Sequence, residues 1–260
     1  MPAPTSTATS QLDILAIAAH RDDVEQTCGG TLLKMTQKGQ RTGILDLTRG
    51  EMGTRGTAAD REREANQAAG LMRVCWREAL DIPDGRVENT WVNRLKIARV
   101  IRRSRPRVVI LPYWKGRHPD HYTCSTLGYE ACFLAGLKKL EIAAKLGDEG
   151  LQTEASDDLP PHRPFKIIYA TLYYDVRPTF VVDISEQFES RFAALMAYKS
   201  QFEDQQGGSG LFPARDDIRD RIHSMARFYG MLAGVKYAEP FLQKEVGLVE
   251  DLTAIPVQSI

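Results

Sequence analysis

Neither sign of charge prevails in this chain: 34 lysines and arginines stand against 34 aspartates and glutamates. Such balance leaves no electrostatic footprint for nucleic acid or an anionic membrane. Long apolar runs are missing, and none reaches the ~18 residues of a membrane-spanning helix. The opening MPAPTSTATSQ lacks a basic stretch followed by an apolar one. It reads as a disordered tail over residues 1–11, not as a secretory signal, and a cytoplasmic location is expected. Cys28, Cys75, Cys124 and Cys132 form no CxxC pair, so zinc-knuckle and dithiol readings fall away and free thiols remain. A G-x-G-x-x-G fingerprint is also absent. After the first apolar run comes CGGTLL, with acidic residues where a pyrophosphate would sit, which argues against a dinucleotide-dependent oxidoreductase.

What is present is an alternation of apolar runs and helical stretches. DILAIAA (13–19), TGILDLT (42–48), RVVILPY (107–113), KIIYATLY (166–173) and TFVVDI (179–184) read as strands. The first three are nearly continuous in apolar residues, as in strands buried on both faces. The patterning predicts helices over 27–38, 60–73, 90–104, 123–146, 186–202 and 216–234. This alternation predicts an α/β fold, a mostly parallel sheet with helices on both faces. The short YDVRP connection predicts that one of the last two strands runs antiparallel. Segment 147–165 reads as a polar surface loop and 201–213 as a glycine-rich, mobile one. No linker separates two cores, so residues 12–260 form one domain.

The charged residues gather where strands end. AAHRDDVEQTCGG (18–30) places His20, Asp22, Asp23 and Glu25 just past the first strand. Glu51, Thr54 and Arg55 follow the second, and His118, Asp120 and His121 follow RVVILPY. Three of the five histidines lie in these clusters. Open α/β sheets build their sites at the carboxyl ends of strands, so the clusters are expected to converge. Ionisable groups this dense need compensating charge, and a metal ion supplies it. Hydrolytic zinc takes three ligands from His and Asp or Glu and keeps one position for water. His20 and Asp23 with one histidine of HPDH meet that count. Spacing alone leaves His118 and His121 as alternatives. Bound zinc brings its water toward a pKa of ~7, and a carboxylate outside the ligand set, such as Asp22, can take the proton.

AHRDDVEQTCGGTL resembles the A-H-P-D-D-x-E signature of the LmbE-like (PIG-L) zinc-dependent N-acetylglucosamine deacetylases. RHPDH resembles that family's second signature, and LDLTRGEMGTRGT with REREA (61–65) resembles the segment between them. YKSQF (198–202) and ARFYGMLAGVKYAEPF (226–241) resemble the branch that deacetylates N-acetylglucosaminyl malate in bacillithiol biosynthesis. The resemblance implies a Rossmann-like three-layer sandwich with Zn2+, or another divalent ion, on His20, Asp23 and His121. It implies Asp22 as general base, His118 as acid or oxyanion stabiliser, and Asp120 as the orienting partner of His118. Arg61 matches a substrate-binding arginine, and Glu51 lies in the sugar-facing loop. The expected partner is a small amino-sugar conjugate, in a homo-oligomer of up to six chains.

One position departs from the signature: Arg21 stands where the family has proline. Proline fixes φ and removes an N–H. An arginine there either lies beside the aspartates, where it weakens Asp22 as a base, or points outward with little effect. It is counted with Arg61 and Glu51 among the candidate substrate contacts. Tyr113 and Trp114 either stack on a sugar or pack. Tyr198 reads as a helix-end aromatic, His162 as solvent-exposed and His223 as structural.

Overall fold

The computed structural model describes residues 11–152, 159–171, 176–202 and 215–255. The expected tail, the middle of the polar segment and the glycine-rich loop beyond Phe202 lie outside the described residues.

Seven strands form one sheet: β1 Ile14–Ala18, β2 Thr42–Asp46, β3 Trp76–Ala79, β4 Val108–Pro112, β5 Lys166–Ala170, β6 Phe180–Asp183 and β7 Ala238–Leu242. The helices are α1 Asp23–Thr27, α2 Gly29–Gln37, α3 Ala58–Met72, α4 Trp91–Ser104, α5 Pro119–Ala135, α6 Ile142–Asp148, α7 Phe188–Leu195, α8 Lys199–Phe202 and α9 Arg215–Met231. The strand order is β3-β2-β1-β4-β5-β7-β6, and β1 to β5 are parallel. Successive strands first step outward from β1 to β3, then return to its other side at β4. The carboxyl ends of β1 and β4 therefore adjoin at the topological switch point, where a crevice forms.

Both faces of β1 are covered. Leu15 and Ile17 pack with Leu95, Ile101 and Leu127 of α4 and α5. Ile14, Ala16 and Ala18 pack on the opposite face with Leu32, Met72 and Tyr198. The two-residue alternation of side chains thus buries every position of ILAIA. Gly128 lets α5 sit tight on β4: a Cβ there would lie 2.5 Å from Leu111 Cδ2. Glycine costs a helix interior ~1 kcal/mol, which this close approach offsets. No helix among the described residues is long and apolar enough to cross a membrane.

The structure corrects several expectations. Neither β5 nor β6 is the antiparallel strand. β7, from the C-terminal part of the chain, inserts between them and runs against both. The expected 123–146 helix is two. Helix α5 starts at Pro119, with His118 as N-cap and proline at the first position, where its missing N–H costs nothing. It stops at Ala135 because buried Arg102 of α4 collects the carbonyls of Ala135, Leu137 and Leu140 at 2.9, 2.7 and 2.9 Å. The 186–202 helix divides likewise into α7 and α8. The four cysteines are free, and three of them are buried.

Candidate metal centre

The turn after β1 is where the chemistry starts. His20 follows the last strand residues, and Asp22 is the N-cap of α1 but makes no side-chain cap bond. Its carboxylate accepts instead from Arg61 Nη2 at 2.9 Å and Gln26 Nε2 at 3.2 Å. Asp23 turns inward and accepts from the His20 backbone N–H at 2.9 Å. From the β4 side, the first turn of α5 delivers His121.

Two imidazole nitrogens and both oxygens of Asp23 meet. His20 Nδ1 lies 3.1 Å from His121 Nε2 and 3.5 Å from Asp23 Oδ2, and His121 Nε2 lies 3.1 Å from Asp23 Oδ1. A tetrahedral ion with bonds of 2.0–2.2 Å holds its ligand atoms about 3.3–3.6 Å apart. The spacing fits one zinc-sized cation. The electrostatics fit as well. Burial alone would depress the His20 imidazole, yet Asp23, Asp120 and Asp84 raise it to about 12. His121 is raised too, by Asp23 against burial. Asp23 is held well below the usual carboxylate range by the two histidines, against its own desolvation. The pocket of carboxylates calls for positive charge, and a divalent ion supplies it.

The far nitrogen of His20 is engaged by carboxylates, which leaves Nδ1 as the atom that could face an ion. Its Nε2 lies 3.1 Å from Asp84 Oδ1 and 3.3 Å from Asp120 Oδ2. A metal-bound histidine typically gives its other N–H to a carboxylate, which fixes ring and tautomer. Asp120 is itself pinned by the amides of Gly85 and Val87 at 2.9 and 3.2 Å. Two rival trios are close enough to share an ion: His20, His118 and His121, or His20, Asp84 and Asp120. The second competes with backbone amides for Asp120. The first would enlist an exposed ring whose Nδ1 already accepts from the Asp120 backbone N–H at 3.2 Å.

The expected role of Asp120 is therefore corrected. Its carboxylate orients His20, and only its backbone N–H meets His118. That bond still informs: an accepting Nδ1 leaves the proton of a neutral His118 on Nε2. Crowding by burial, His20 and His121 lowers the His118 pKa. The ring stands edge-on to His20, with centroids 4.7 Å apart.

Of the expected substrate contacts, Arg61 reaches the site, is only 5% exposed, and bonds Asp22. Its Nε has no partner, and Gly50, at φ +71°, lies against its guanidinium. Glu51 does not face the cavity. Its carboxylate accepts from the amides of Asp84 and Arg49 at 2.8 and 3.2 Å, tying down the loop that presents Asp84. Arg21 is corrected also: it lies neither beside the aspartates nor outward. It is buried, 4% exposed, and turned toward Asp46 and Glu62. The cluster of His20, Asp23 and His121 faces a cavity of about 500 Å³ whose further walls include Arg61, Arg117, Arg221, Met52, Phe202 and Met225. A hollow of about 30 Å³ adjoins Asp23 and His121, lined by Ala16, Ala18 and Ile110.

Sequence reasoning missed Asp84 and a buried network beneath the turn. Arg77 of β3 donates to Glu25 at 2.6 Å and to both oxygens of Asp46 at 2.8 and 3.0 Å. Arg77 and the Tyr198 hydroxyl both donate to the carbonyl of Arg21. Burial pushes Glu25 up to about 7, against the pull of Arg77. Tyr198 is thus no simple helix-end aromatic. His162 bonds the Pro106 carbonyl at 2.8 Å and is half-buried, not solvent-exposed. His223 is structural, bonded to the Tyr237 hydroxyl at 3.0 Å. Trp114 packs edge-on to Tyr169.

Comparison with known proteins agrees with this geometry. Residues 15–132 match the family described as PIG-L, GlcNAc-PI de-N-acetylase. A diacetylchitobiose deacetylase of Thermococcus kodakarensis is 30% identical over 237 residues, 87% of this chain and 80% of that protein. The conserved protein TT1542 of Thermus thermophilus shares 38% identity at a TM-score of 0.77, over 92% of this chain and 98% of its own. GalB, a 4-carboxy-2-hydroxymuconate hydratase of Pseudomonas putida, shares the fold at a TM-score of 0.72 with 20% identity, over 94% of this chain and 99% of its own. With two signatures meeting at one switch-point crevice and a relative matched over nearly the whole chain, this protein belongs to the PIG-L family of de-N-acetylases.

Proposed function

We propose that the protein hydrolyses the N-acetyl group of an N-acetylglucosamine conjugate bearing a small anionic aglycone, using a divalent ion on His20, Asp23 and His121. N-acetylglucosaminyl malate is the proposed substrate, and Zn2+ the proposed ion. The observation that carries this reading is the meeting of two imidazole nitrogens with the two oxygens of Asp23, at 3.1–3.5 Å, beside an aspartate outside that set. Arginines 61, 117 and 221 around the cavity suit an anionic group. The 30 Å³ hollow beside Asp23 and His121 has room for one methyl-sized group, which suits acetyl over longer acyl chains.

When bound, the ion polarises the amide carbonyl and acidifies water. Asp22, held by Arg61 and Gln26, takes a proton from the attacking water. The Nε2–H of His118 donates to the carbonyl oxygen as negative charge develops there. The amide C–N bond breaks, the leaving nitrogen takes up the proton held by Asp22, and acetate and the free amine depart. Deacetylation of another N-acetylglucosamine conjugate is the second reading, favoured by the diacetylchitobiose deacetylase relative.

The test is acetate release from N-acetylglucosaminyl malate and from diacetylchitobiose, with metal-stripped and Asp22→Asn protein alongside. The reading expects release from the malate conjugate that metal removal abolishes and re-addition restores. Release from diacetylchitobiose alone would replace the first substrate by the second. No release from either, with metal bound, would overturn the activity.

A further inference from the structure

A second cavity lies behind the His20–Asp23 turn, between the carboxyl ends of β2 and β3 and the flank of α3. It measures about 430 Å³ and shares no lining residue with the cavity in front of the metal cluster. Volumes of a few hundred Å³ are those of small-molecule sites.

Arg21 builds this cavity. It is 4% exposed and lines the wall. Its Nε has no hydrogen-bond partner, and Nη1 makes one long contact, 3.4 Å, to the Ala58 carbonyl. Among the described residues no carboxylate is in ion-pair contact with it. Asp46, which faces the same cavity, has both oxygens occupied by Arg77. The guanidinium of Arg77 is in turn spent on Asp46, Glu25 and the Arg21 carbonyl. Burial accordingly works against the charged form of Arg21. A buried cation without an anion is costly, and a planar guanidinium is matched best by two oxygens of one oxyanion. Arg49 stands at the rim as a second cation. Glu78, a further carboxylate of the lining, is paired with Arg103 at 2.5 Å, and Glu62 and Asn66, one turn apart on α3, add a carboxylate and an amide. Those two groups suit hydroxyls, not a second anionic group.

We infer that this cavity is a binding site for a small hydroxylated organic anion, with its carboxylate or phosphate group seated on Arg21 and its hydroxyls toward Asn66 and Glu62. The site stands apart from the deacetylation reading and holds or fails independently of it. A proline at position 21 would have no side chain to reach this cavity, so the site is tied to the arginine of this chain.

The test is calorimetric titration of the full-length protein with glycerate, glycerol 3-phosphate and glycerol. These probes share a hydroxylated body and differ in the anionic group. The inference expects one or both anions to bind and glycerol not to bind. Which anion binds tells a carboxylate ligand from a phosphate one. Arg21→Gln should weaken that binding roughly 10- to 100-fold, the scale of hydrogen bonds to a charged group. Asn66→Phe, at an exposed position, obstructs the cavity without disturbing the core and should abolish binding. It serves if Arg21→Gln fails to fold. Arg117→Gln, in the front cavity, should leave the affinity within about twofold, a difference well under the ~1.4 kcal/mol of a tenfold change. Absence of binding by either anion at millimolar concentration would overturn the inference. So would binding that survives Asn66→Phe or is lost in Arg117→Gln.

Discussion

Two charged clusters flank the turn after β1, and they are resolved in opposite ways. Beneath the turn, Arg77, Glu25, Asp46 and Tyr198 meet with every side chain almost fully buried, and their hydrogen bonds close on one another and on the Arg21 carbonyl. Above it, Asp23, Asp84 and Asp120 converge on two imidazoles and are left short of positive charge. Both are built around buried carboxylates. The lower cluster carries its own cation in Arg77, so it fixes geometry. The upper one has only imidazoles to set against its carboxylates and opens on a cavity, which suits the proposed ion. Buried charge becomes scaffold or site according to whether its partner is part of the chain.

Substitutions that exchange these roles break the comparison. The largest effect expected is on turnover. Asp22→Asn removes the base outside the proposed ligand set and should lower acetate release ~10²–10⁴-fold, with unfolding by denaturant unchanged. An effect below tenfold would move the base elsewhere. Next is Arg77→Met, which strands Glu25 and Asp46 without a cation and takes a donor from the Arg21 carbonyl. It should cost about 3–5 kcal/mol in urea unfolding. A loss under 1 kcal/mol would mean that the lower cluster is not scaffold. Asp84→Asn weakens the hold on His20 Nε2. Zinc affinity, measured by competition with a chelator, should fall about 10–100-fold while fold stability stays nearly level. Unchanged affinity would leave His20 positioned by Asp120 alone. The smallest effect is Tyr198→Phe, which deletes one of two donors to the Arg21 carbonyl and should cost roughly 1 kcal/mol in the same unfolding measurement.

Much of this was legible before any coordinates. β1, β2 and β4 announce themselves because strands covered on both faces are nearly continuous in apolar residues, and the ends of β1 and β4 carry the histidines and aspartates that meet. β3 hides because it is a sheet edge of half-buried, mixed residues, WREA, and the turn after it, which brings Asp84, hides with it. β7 hides because Pro240 and Glu239 argue against a strand. Yet Glu239 is buried for a reason no local pattern contains. It accepts from the amides of Gly30 and Thr31 at 2.9 and 2.7 Å, capping α2 from a strand 208 residues on. The family resemblance pairs Asp120 with His118, its neighbour in sequence. The first turn of a helix instead sends its carboxylate back toward His20. The direction of Arg21 depends on a cavity made by β2, β3 and α3, and no spacing rule reaches that far.

The central claim is that His20, Asp23 and His121 hold one divalent ion. X-ray absorption at the edge of the bound metal, on protein loaded and then desalted, tests it most directly. The account predicts one ion per chain, two imidazole nitrogens and at least one carboxylate oxygen at about 2.0–2.2 Å, no sulfur, and loss of the ion in Asp23→Ala. A chain that retains no ion, or one whose metal spectrum is the same after Asp23→Ala, would contradict it.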